Sequence, residues 1–314
     1  VHHMNDGEPR LHPPGDRREE PRGLRHSPFH ARQVELGAVF TDRLGWEAPR
    51  WYGVNEGDAG DVPPLDGWAR RWWSPAAIAE QRAARERVGL FDMTTLPRRE
   101  VGGPGAADWL ERIVAGRVAY RRVGAIVYTL LLDERGRVRS DVTVARLAGD
   151  RFWVGTNGPL DRAWLAGHLR DDRSVALRDL GATTCSIGLW GPRARDVLAA
   201  CTDADISNEA FRYFTARDLW VADVPVTALR LSYAGELGWE LVTTADRGLR
   251  LWDLLWAAGR DHGIAACGRR ALAALRIEKG YRAWGSDVTA DHTPEAAGLG
   301  SFVDLGKADF IGRD

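Results

Sequence analysis

An acidic side chain interrupts an alternating apolar segment in the middle of the chain. Asp141 stands in VRSDVTVARL, followed by Val142, Thr143 and Val144. Successive side chains of a strand point to opposite faces, so Asp141 should share a face with Thr143 and not with the two valines. A carboxylate on a central strand is costly unless it is solvated or partnered. Asp141 therefore either points to solvent on an open face or lines a cleft, where a carboxylate could move a proton or stabilise positive charge.

Two further polar side chains lie on the strands predicted before and after the one that holds Asp141. The segment IVYTLLLDERGRVRSDVTVARL predicts a β-hairpin with DERG as its turn, which puts Tyr128 across from the region of Asp141. Asn157 ends the next predicted strand, RFWVGTN, and residues at such positions often meet ligands. The alternative for Tyr128 is an aromatic of the hairpin core. The alternative for Asn157 is a turn residue before Gly158.

A second group of carboxylates lies in SYAGELGWE, which predicts a strand, a glycine-flanked turn and a return strand. Glu236 and Glu240 are two strand periods apart and could share a face. One carboxylate can accept two hydrogen bonds at once from a flat partner, as it does from arginine. Glu236 alone also fits an ordinary turn carboxylate. Glu240, between Trp239 and Leu241, fits a partly buried group with a partner.

Helices with recognisable ends alternate with the strands that must position these side chains. Residues 74–88 predict a helix that Ser74 caps, Pro75 begins and Gly89 ends. The other predicted helices cover residues 104–115, 160–169, 192–201, 247–258 and 269–279. The other predicted strands are GLFDM and RREVGG, expected to pair with each other, then TTCSIGLWG, LWVADV, VTALRLSYAG and LGWELVT. Two successive β-α-β-β units indicate an α+β fold of duplicated, mostly antiparallel sheets with helices on one side.

Composition excludes several classes of function. The chain has 314 residues and a formal net charge of -1, with 43 Lys and Arg against 44 Asp and Glu. That balance gives no electrostatic footprint for a nucleic acid or an anionic membrane. No apolar run approaches the roughly 20 residues that cross a bilayer, and no signal-peptide core is present, so we expect a cytoplasmic protein. The 3 cysteines are widely spaced, and Pro28 lies between His26 and His30, the one H-x-x-x-H pair, so no metal site is predicted.

Five segments in order resemble a known family. They are VGLFDMTTLPRREVGGPGA, GRVRSDVTVARL, SYAGELGWEL, LRIEKGYRAWGSDVTADHTP and GKADFIGRD. Together they resemble the glycine-cleavage T-protein (aminomethyltransferase) superfamily, most of all the C-terminal, folate-binding half of dimethylglycine and sarcosine dehydrogenases. The segment SPFHARQVELGAVFTDRLGWEAPRWYG resembles the junction between the flavin half and the folate half of those enzymes.

The resemblance implies a fold and a set of roles. It implies a ring-like α+β body of duplicated β-α-β-β units around a folate channel, followed by a small C-terminal β-barrel that is truncated here. Asp141 falls on the family's catalytic aspartate, and Glu240 on the carboxylate that holds the pterin. The candidate folate-binding residues are Tyr128, Asn157, Glu240, Glu236, Tyr233 and Arg270. Arg270 is the arginine nearest to the one that precedes LRIEKG in the family, although its register is shifted.

The same resemblance divides the chain. The expected parts are a disordered N-terminal tail (1–26), a connecting segment (27–73), an aminomethyltransferase-type folate-binding domain (74–300) and the start of a truncated barrel (301–314). No strand is followed by G-x-G-x-x-G, so no dinucleotide-binding domain is predicted within the sequence. The chain is then either a fragment of a longer flavoenzyme or a truncated stand-alone protein.

The implied activity is a tetrahydrofolate-dependent one-carbon transfer. A methylene group would pass from an amine or iminium donor, such as a dimethylglycine- or sarcosine-derived intermediate, to give 5,10-methylenetetrahydrofolate. The expected partners are the small-molecule amine donor, folate and a flavin oxidoreductase domain or subunit, and FAD is expected only where that flavin partner is present. One alternative is an O- or N-demethylase that produces methyltetrahydrofolate. Another is a non-catalytic folate-binding module, as in iron–sulfur maintenance proteins, but GKADFIGRD lacks the cysteine of their Lys-Gly-Cys signature.

Overall fold

A computed structural model describes residues 22–62, 66, 67, 69 and 73–313. The strands, in chain order, are β1 (Ala38–Arg43), β2 (Trp46–Tyr52), β3 (Val88–Asp92), β4 (Arg98–Gly102), β5 (Ile126–Leu132), β6 (Val138–Arg146), β7 (Arg151–Gly155), β8 (Ala176–Asp179), β9 (Thr184–Trp190), β10 (Thr215–Val221), β11 (Val224–Arg230), β12 (Gly238–Thr244) and β13 (Ile264–Cys267). The α-helices are α1 (His30–Glu35), α2 (Pro75–Glu86), α3 (Ala106–Ile113), α4 (Pro159–Gly167), α5 (Ala194–Ala199), α6 (Gly248–Gly259) and α7 (Arg269–Glu278). Short 3-10 segments lie at Gly53–Ala59, Ala245–Arg247, Arg260–His262 and Gly300–Phe302.

Two large sheets repeat the same strand order. The six-stranded sheet runs β10-β11-β12-β9-β3-β13, and the five-stranded sheet runs β5-β6-β7-β4-β8. In each sheet a strand, a helix and three further strands follow one another along the chain, β4-α3-β5-β6-β7 and then β9-α5-β10-β11-β12. All pairings in both sheets are antiparallel except the parallel pair β13 and β3. The predicted α+β fold of duplicated units is therefore confirmed, with one more strand in each unit than expected.

The predicted pairing of the two strands near residue 90 is wrong. The segment GLFDM belongs to β3 of the six-stranded sheet, between β9 and β13, whereas RREVGG belongs to β4 of the five-stranded sheet, between β7 and β8. Both edges of each strand are thus taken by partners that are distant in sequence. Closeness along the chain suggested a hairpin, but the short link between β3 and β4 instead carries the chain from one sheet to the other.

Alternation along the strands separates an outer face from an inner face. On β6, Val142 and Val144 belong to the apolar cluster that includes Trp109 and Leu110 of α3. On the inner side, residues of both sheets form one cluster: Ile126, Ala145, Ala216, Leu229 and Val242. A backbone bridge between Ala125 and Thr215 also joins the two sheets at one edge. The inner faces therefore meet, and polar residues on those faces, including Asp141, come to lie between the two sheets.

The N-terminal residues in the described part of the chain contact β2. Residues 1–21 of the predicted disordered tail lie outside the described residues. In the rest of that segment the Arg22 Nε and the backbone N–H of Gly23 each donate to the Glu47 carboxylate at 2.8 Å, and Arg25 bridges to Trp46. Residues 22–25 are thus linked to β2 by side-chain and backbone contacts.

A buried glutamate ties the connecting segment to the body. Glu80 on α2 is fully buried, and its Oε1 accepts hydrogen bonds from the Tyr52 N–H at 2.6 Å and the Asn55 amide at 3.2 Å. Its Oε2 accepts from the Gly268 N–H at 2.7 Å, just before α7. Burial raises the pKa of Glu80 from its ordinary 4.5 to about 8, against the lowering effect of these three hydrogen bonds. One side chain thus joins three separate parts of the chain.

Glu80→Gln should lower the free energy of unfolding by about 1–3 kcal/mol, because an amide nitrogen cannot accept the backbone hydrogen bond that a carboxyl oxygen accepts. The folded-state pKa of about 8 lies above the ordinary 4.5, so the stability contributed by this carboxyl is complete below 4.5 and is lost as the pH rises toward 8. The difference in unfolding free energy between wild type and Glu80→Gln, measured in urea, should therefore shrink across that pH range.

The exposed Glu86 on the same helix supplies the matched control. Glu86→Gln should leave the unfolding free energy nearly unchanged at every pH, as expected for a surface substitution. A wild-type advantage over Glu80→Gln that stays constant from acid to neutral pH would contradict the assigned pKa.

Candidate functional site

Asp141 lies on the inner face of β6 with two hydrogen-bond donors. Its side chain is half-buried between the sheets. The Tyr128 hydroxyl on β5 donates to Oδ2 at 2.9 Å, and the Asn157 amide donates to Oδ1 at 2.7 Å. The hairpin and the alternation predicted from the sequence thus hold, and three of the predicted residues form one hydrogen-bonded group. We call Tyr128, Asp141 and Asn157 the aspartate group.

The electrostatics of this group favour a carboxyl poised to exchange a proton. Burial raises the pKa of Asp141 above its ordinary value, while the hydrogen bonds from Asn157 and Tyr128 lower it. Burial, and next the negative charge of Asp141, raise the pKa of Tyr128 well above its ordinary value, so the phenol remains a donor at neutral pH. No cation is paired with Asp141 among the described residues. The carboxylate is therefore held by neutral donors and keeps its charge available to a ligand.

Asn157 is itself held in place by residues that the sequence analysis did not identify. The Asp161 Oδ2 accepts from the Asn157 N–H at 2.8 Å and from the Ser140 hydroxyl at 2.9 Å. The Asn157 amide also lies 3.0 Å from the Ser140 Oγ. Asp161 is in the first turn of α4, where a carboxylate is favoured by the helix dipole, and burial raises its pKa. An acidic residue in the first turn after Asn157 was the available sequence signal.

An aromatic cavity opens beside the aspartate group. Its volume is about 380 Å³, and Tyr128 forms part of its wall. The Phe302 ring packs edge-on against the Tyr128 ring, with 4.7 Å between ring centroids, and Tyr213 also lines the cavity. Three arginines also line it: Arg121, Arg122 and Arg212. The cavity therefore combines aromatic side chains, including Tyr128 of the aspartate group, with three exposed, positively charged arginines.

Glu240 faces the same gap from the six-stranded sheet. It is buried on β12, and its Oε1 accepts from the Arg98 guanidinium and, at 2.7 Å, from the Ser186 hydroxyl. Arg98 lies on β4, so this ion pair spans the two sheets. Among the described residues no hydrogen bond reaches the second oxygen, Oε2. Glu240 therefore has hydrogen-bond partners, as expected from its sequence context. No sequence pattern identified Arg98 or Ser186 as those partners.

Strand register puts Arg98 and Asp141 on one face. Thr143 pairs with Gly155, and Gly155 pairs with Arg98, so the three share a side of the five-stranded sheet. Asp141 is two residues from Thr143 on that same side. The aspartate group and the Arg98–Glu240 pair are therefore neighbours in the gap between the sheets, and Gly155 leaves the space between them free of a side chain.

The expectation that Glu236 and Glu240 share a face is wrong. Glu236 lies in the turn before β12, where strand periodicity does not apply, and positive φ angles of 75° at Gly235 and 149° at Gly238 redirect the backbone. The Glu236 carboxylate accepts a hydrogen bond, at 2.6 Å, from the guanidinium of Arg85 on α2. The two glutamates thus contact different elements.

The remaining candidates lie around that turn. The Tyr233 hydroxyl donates to the backbone carbonyl of Arg282 at 2.9 Å, and its ring stacks on that of Tyr281 with 6.1 Å between centroids. The negative charge of Asp141 contributes to raising the pKa of Tyr233, to about 12, after the larger effect of burial. Arg270 is half-buried in the first turn of α7.

Neither a cluster of metal ligands nor a membrane-spanning helix is found in the described part of the chain. Within those ranges no three His, Cys, Asp or Glu side chains come together as metal ligands. Nor does any helix there have both the length and the apolar character that crossing a bilayer would require.

Known proteins are similar to this chain in sequence and in fold. Residues 29–307 match the family described as GCVT N-terminal domain. The 4-methylaminobutanoate oxidase (formaldehyde-forming) of Paenarthrobacter nicotinovorans is 36% identical over 97% of this chain and 37% of its own length. The mouse mitochondrial dimethylglycine dehydrogenase is 34% identical over 86% of this chain and 31% of its own length. The chain thus spans about a third of these two relatives.

Two shorter relatives are matched over most of their length. The aminomethyltransferase of Symbiobacterium thermophilum is 30% identical over 93% of this chain and 74% of its own length. The crystal structure of glycine cleavage system aminomethyltransferase T from Bartonella henselae superimposes with a TM-score of 0.77 over 93% of this chain and 73% of that one, at 24% identity. That likeness confirms the predicted aminomethyltransferase fold. The expected family is confirmed as well: this chain belongs to the GCVT N-terminal domain family, whose members include aminomethyltransferases and parts of dimethylglycine and sarcosine dehydrogenases.

Proposed function

We propose that this chain binds tetrahydrofolate in the gap between its two sheets and transfers a one-carbon unit to it from an amine or iminium donor. The observation that carries the proposal is the aspartate group, whose Tyr128 lines the aromatic cavity, in a chain of this family. A carboxyl with a raised pKa and neutral partners is suited to proton exchange and to stabilising a nearby cation.

The cavity fits the chemistry of a folate. Its volume of about 380 Å³ is within the range of small-molecule sites, which begins near 300 Å³. The Tyr213 and Phe302 rings can pack against a flat heterocycle, and the exposed arginines of the lining can pair with carboxylates at the other end of the ligand.

Glu240 is the residue that we assign to the pterin. Arg98 and Ser186 fix one carboxylate oxygen and leave Oε2 to accept from a ring N–H or an amino group. Asn157, Tyr233, Glu236 and Arg270 remain candidates for the wall of the folate site on the strength of the family resemblance. For Glu236 the ion pair with Arg85 restricts the carboxylate to one side of the turn.

Tetrahydrofolate, when bound, supplies the two nitrogen nucleophiles that receive the carbon. The overall transfer converts an iminium R₂N⁺=CH₂ and tetrahydrofolate into the amine R₂NH, 5,10-methylenetetrahydrofolate and one proton. Asp141 accepts the proton at its carboxylate and stabilises the positive charge next to it, while Tyr128 and Asn157 fix its two oxygens. Phe302 packs against Tyr128 and helps to keep water from that side of the carboxyl.

The donor is proposed to come from a flavin oxidoreductase domain or subunit that oxidises a methylated amine. The matched dehydrogenases and oxidases are about three times as long as the portion that this chain matches, which supports such an arrangement. FAD belongs to that partner, and we assign it no site among the residues of this chain.

Mass spectrometry of the folate product separates the proposed transfer from the alternative demethylase activity, because a demethylase would yield methyltetrahydrofolate instead of 5,10-methylenetetrahydrofolate.

Asp141→Asn should slow one-carbon transfer by about 10²–10⁴-fold, because the amide can neither accept the proton nor carry the negative charge. The assay measures 5,10-methylenetetrahydrofolate formed from an iminium of formaldehyde and N-methylglycine, above the uncatalysed rate. Asp150→Asn, at an exposed turn between β6 and β7, is the matched control and should keep the wild-type rate. A wild-type rate in Asp141→Asn would rule out this role for Asp141.

The acid limb of the pH–rate profile should lie above the ordinary pKa of an aspartate, 3.8, because burial raises the pKa of Asp141. Transfer requires the carboxylate, so the rate should fall as the pH drops through that raised value. Asn157→Ala removes the hydrogen bond that lowers this pKa most, and should move the limb of kcat/KM to higher pH. Tyr128→Phe should move it in the same direction, and a shift to lower pH in either variant would contradict the assignment.

Glu240→Gln should weaken binding of 5-formyltetrahydrofolate, a stable folate mimic, by about tenfold or more, since it removes a charge-assisted hydrogen bond. Calorimetric titration measures the change, and circular dichroism checks that the variant is folded. Glu100→Gln is the control, because Glu100 lies on the same strand as Arg98 and forms an ion pair with the mostly exposed Arg178. Equal affinities in wild type and Glu240→Gln would remove Glu240 from the folate site.

A further inference from the structure

A second buried carboxyl lies next to the aspartate group. Asp161 is 4% exposed and is the third residue of α4. Its Oδ2 accepts two hydrogen bonds, from the Asn157 N–H at 2.8 Å and from the Ser140 hydroxyl at 2.9 Å. Ser140 is fully buried on β6, directly before Asp141. One oxygen of Asp161 thus contacts both the sequence neighbour of Asp141 and one of its two hydrogen-bond donors.

The direction of the Ser140 hydrogen bond bears on which end of the Asn157 amide faces Asp141. A serine hydroxyl can donate only one hydrogen bond. Its nearer acceptor is the charged Oδ2 of Asp161 at 2.9 Å, whereas the Asp141 carbonyl is at 3.4 Å. The Ser140 Oγ therefore presents lone pairs to the Asn157 Nδ2, which is 3.0 Å away. That nitrogen also lies 2.9 Å from the Asp141 carbonyl oxygen and 2.7 Å from its Oδ1, so three acceptors surround it.

A reversed Asn157 amide would place its oxygen against the Asp141 carboxylate. Two acceptors with no hydrogen between them repel each other, and Asp141 would lose a hydrogen bond that favours its charged form. Without its acceptor at Asp161, the Ser140 hydroxyl would be free to donate to Asn157, and it would then favour the reversed amide. The orientation of the amide therefore depends on Asp161 as well as on Asp141.

The position of Asp161 also suits an ordinary helix cap. Burial raises its pKa, and the backbone N–H groups of Asn157 and Gly158, just before α4, lower it. A carboxylate that accepts such bonds in the first turn stabilises a helix. A cap alone would contribute to stability and leave the protonation of Asp141 unchanged. The hydrogen bond from Ser140 is not part of the cap, because Ser140 belongs to β6.

Asp161 has two opposing effects on Asp141. After burial, the hydrogen bond from Asn157 has the largest effect on the pKa of Asp141 and lowers it, whereas the negative charge of Asp161 has a smaller, raising effect. Other charged or titratable side chains act on the two carboxyls or on Tyr128: Arg139 on β6, Arg99 on β4, Tyr233 before β12 and Arg282 after α7. Because the hydrogen bond has the larger effect, it determines the sign expected when Asp161 is removed.

We propose that Asp161 is a positioning residue of the transfer site, which acts through Ser140 and Asn157 to keep the amide nitrogen of Asn157 on the Asp141 carboxylate. The inference rests on the proposed function, since it concerns the carboxyl that accepts the proton in the transfer. The hydrogen bonds from Ser140 and Asn157 connect Asp161 to the aspartate group. The effect of Asp161 on the proton affinity of Asp141 passes mainly through those two residues.

The first experiment follows the pKa of Asp141 by carbon NMR of its side-chain carboxyl, in the full chain labelled on aspartate. The Asp141 signal is identified by its absence in Asp141→Asn. Asp161→Ala should raise the pKa of Asp141, because Ser140 and Asn157 lose their common acceptor. An unchanged or lowered pKa in Asp161→Ala would overturn the inference and leave Asp161 as a helix cap.

A double variant tests whether the effect passes through Asn157. In Asn157→Ala the amide is already absent, so adding Asp161→Ala removes only the negative charge of Asp161. The second substitution should therefore lower the pKa of Asp141 in this background, although it raises the pKa in the wild-type background. A rise in both backgrounds would mean that Asp161 acts without Asn157, and the inference would fall.

Two further single variants separate positioning from loss of the cap. Ser140→Ala leaves the backbone contacts of Asp161 with α4 in place and should also raise the pKa of Asp141. An unchanged pKa in Ser140→Ala would exclude the route through Ser140. Asp108→Ala is the matched control, because Asp108 is the exposed third residue of α3. It should leave the pKa of Asp141 at its wild-type value, and circular dichroism checks that each variant is folded.

The NMR measurement separates this inference from the proposed function, because it requires no transfer. In an active chain the acid limb of kcat/KM should move in the same direction as the NMR pKa. Transfer that depends on Asp141, together with a pKa that Asp161→Ala does not raise, would overturn only the inference. The expected rise of the pKa in a chain that transfers no one-carbon unit would overturn only the proposed function.

Discussion

The ion pair between Arg98 and Glu240 joins the two sheets at the level of the candidate site. Each partner belongs to a different sheet, and both are buried. Removing either one would leave an uncompensated charge in the interior, which costs several kcal/mol. The sheets can therefore meet at that level only in the arrangement that keeps this pair together. The positions of β6 and β12 across the gap, and thus the position of Asp141 relative to Glu240, depend on that arrangement.

Two carboxylates thus share one gap in contrasting environments. Glu240 is neutralised by a guanidinium, whereas Asp141 is held by a phenol and an amide. Neutral donors orient a carboxylate without cancelling its charge, so burial acts on Asp141 and raises its pKa. A carboxylate that is paired with a guanidinium, as Glu240 is, is suited to orienting a ligand. A carboxylate with a raised pKa, as in Asp141, is suited to exchanging a proton.

The wall of the site also depends on residues far along the chain. Lys307 is buried, and its Nζ donates to the carbonyls of Val114 at 2.6 Å and Gly116 at 3.0 Å, near the end of α3. This contact holds the C-terminal residues against the five-stranded sheet, where Phe302 packs on Tyr128. Glu80 on α2 has a comparable role, because its carboxyl joins β2 of the connecting segment to the start of α7. Buried polar groups with several partners thus fix the segments that enclose the gap.

Sequence patterns alone predict the local structure and the face on which Asp141 lies. The alternation in VRSDVTVARL requires that Asp141 and Thr143 oppose Val142 and Val144, and the hairpin turn brings Tyr128 within reach. The repeated order of elements likewise predicted the duplicated α+β fold, because each unit carries its own strand and helix periodicity.

Which faces meet depends on how the complete chain packs. Glu240 has Arg98 and Ser186 as its partners, and Asp161 accepts a hydrogen bond from the backbone of Asn157. Strands β3 and β4, although adjacent in sequence, belong to different sheets. The alternation of residues shows on which face of its own strand a side chain lies. It gives no information about the residue that the side chain meets across a gap between sheets. That partner is selected by the packing of two complete sheets and by the cost of burying unpaired charge, which are properties of the whole chain.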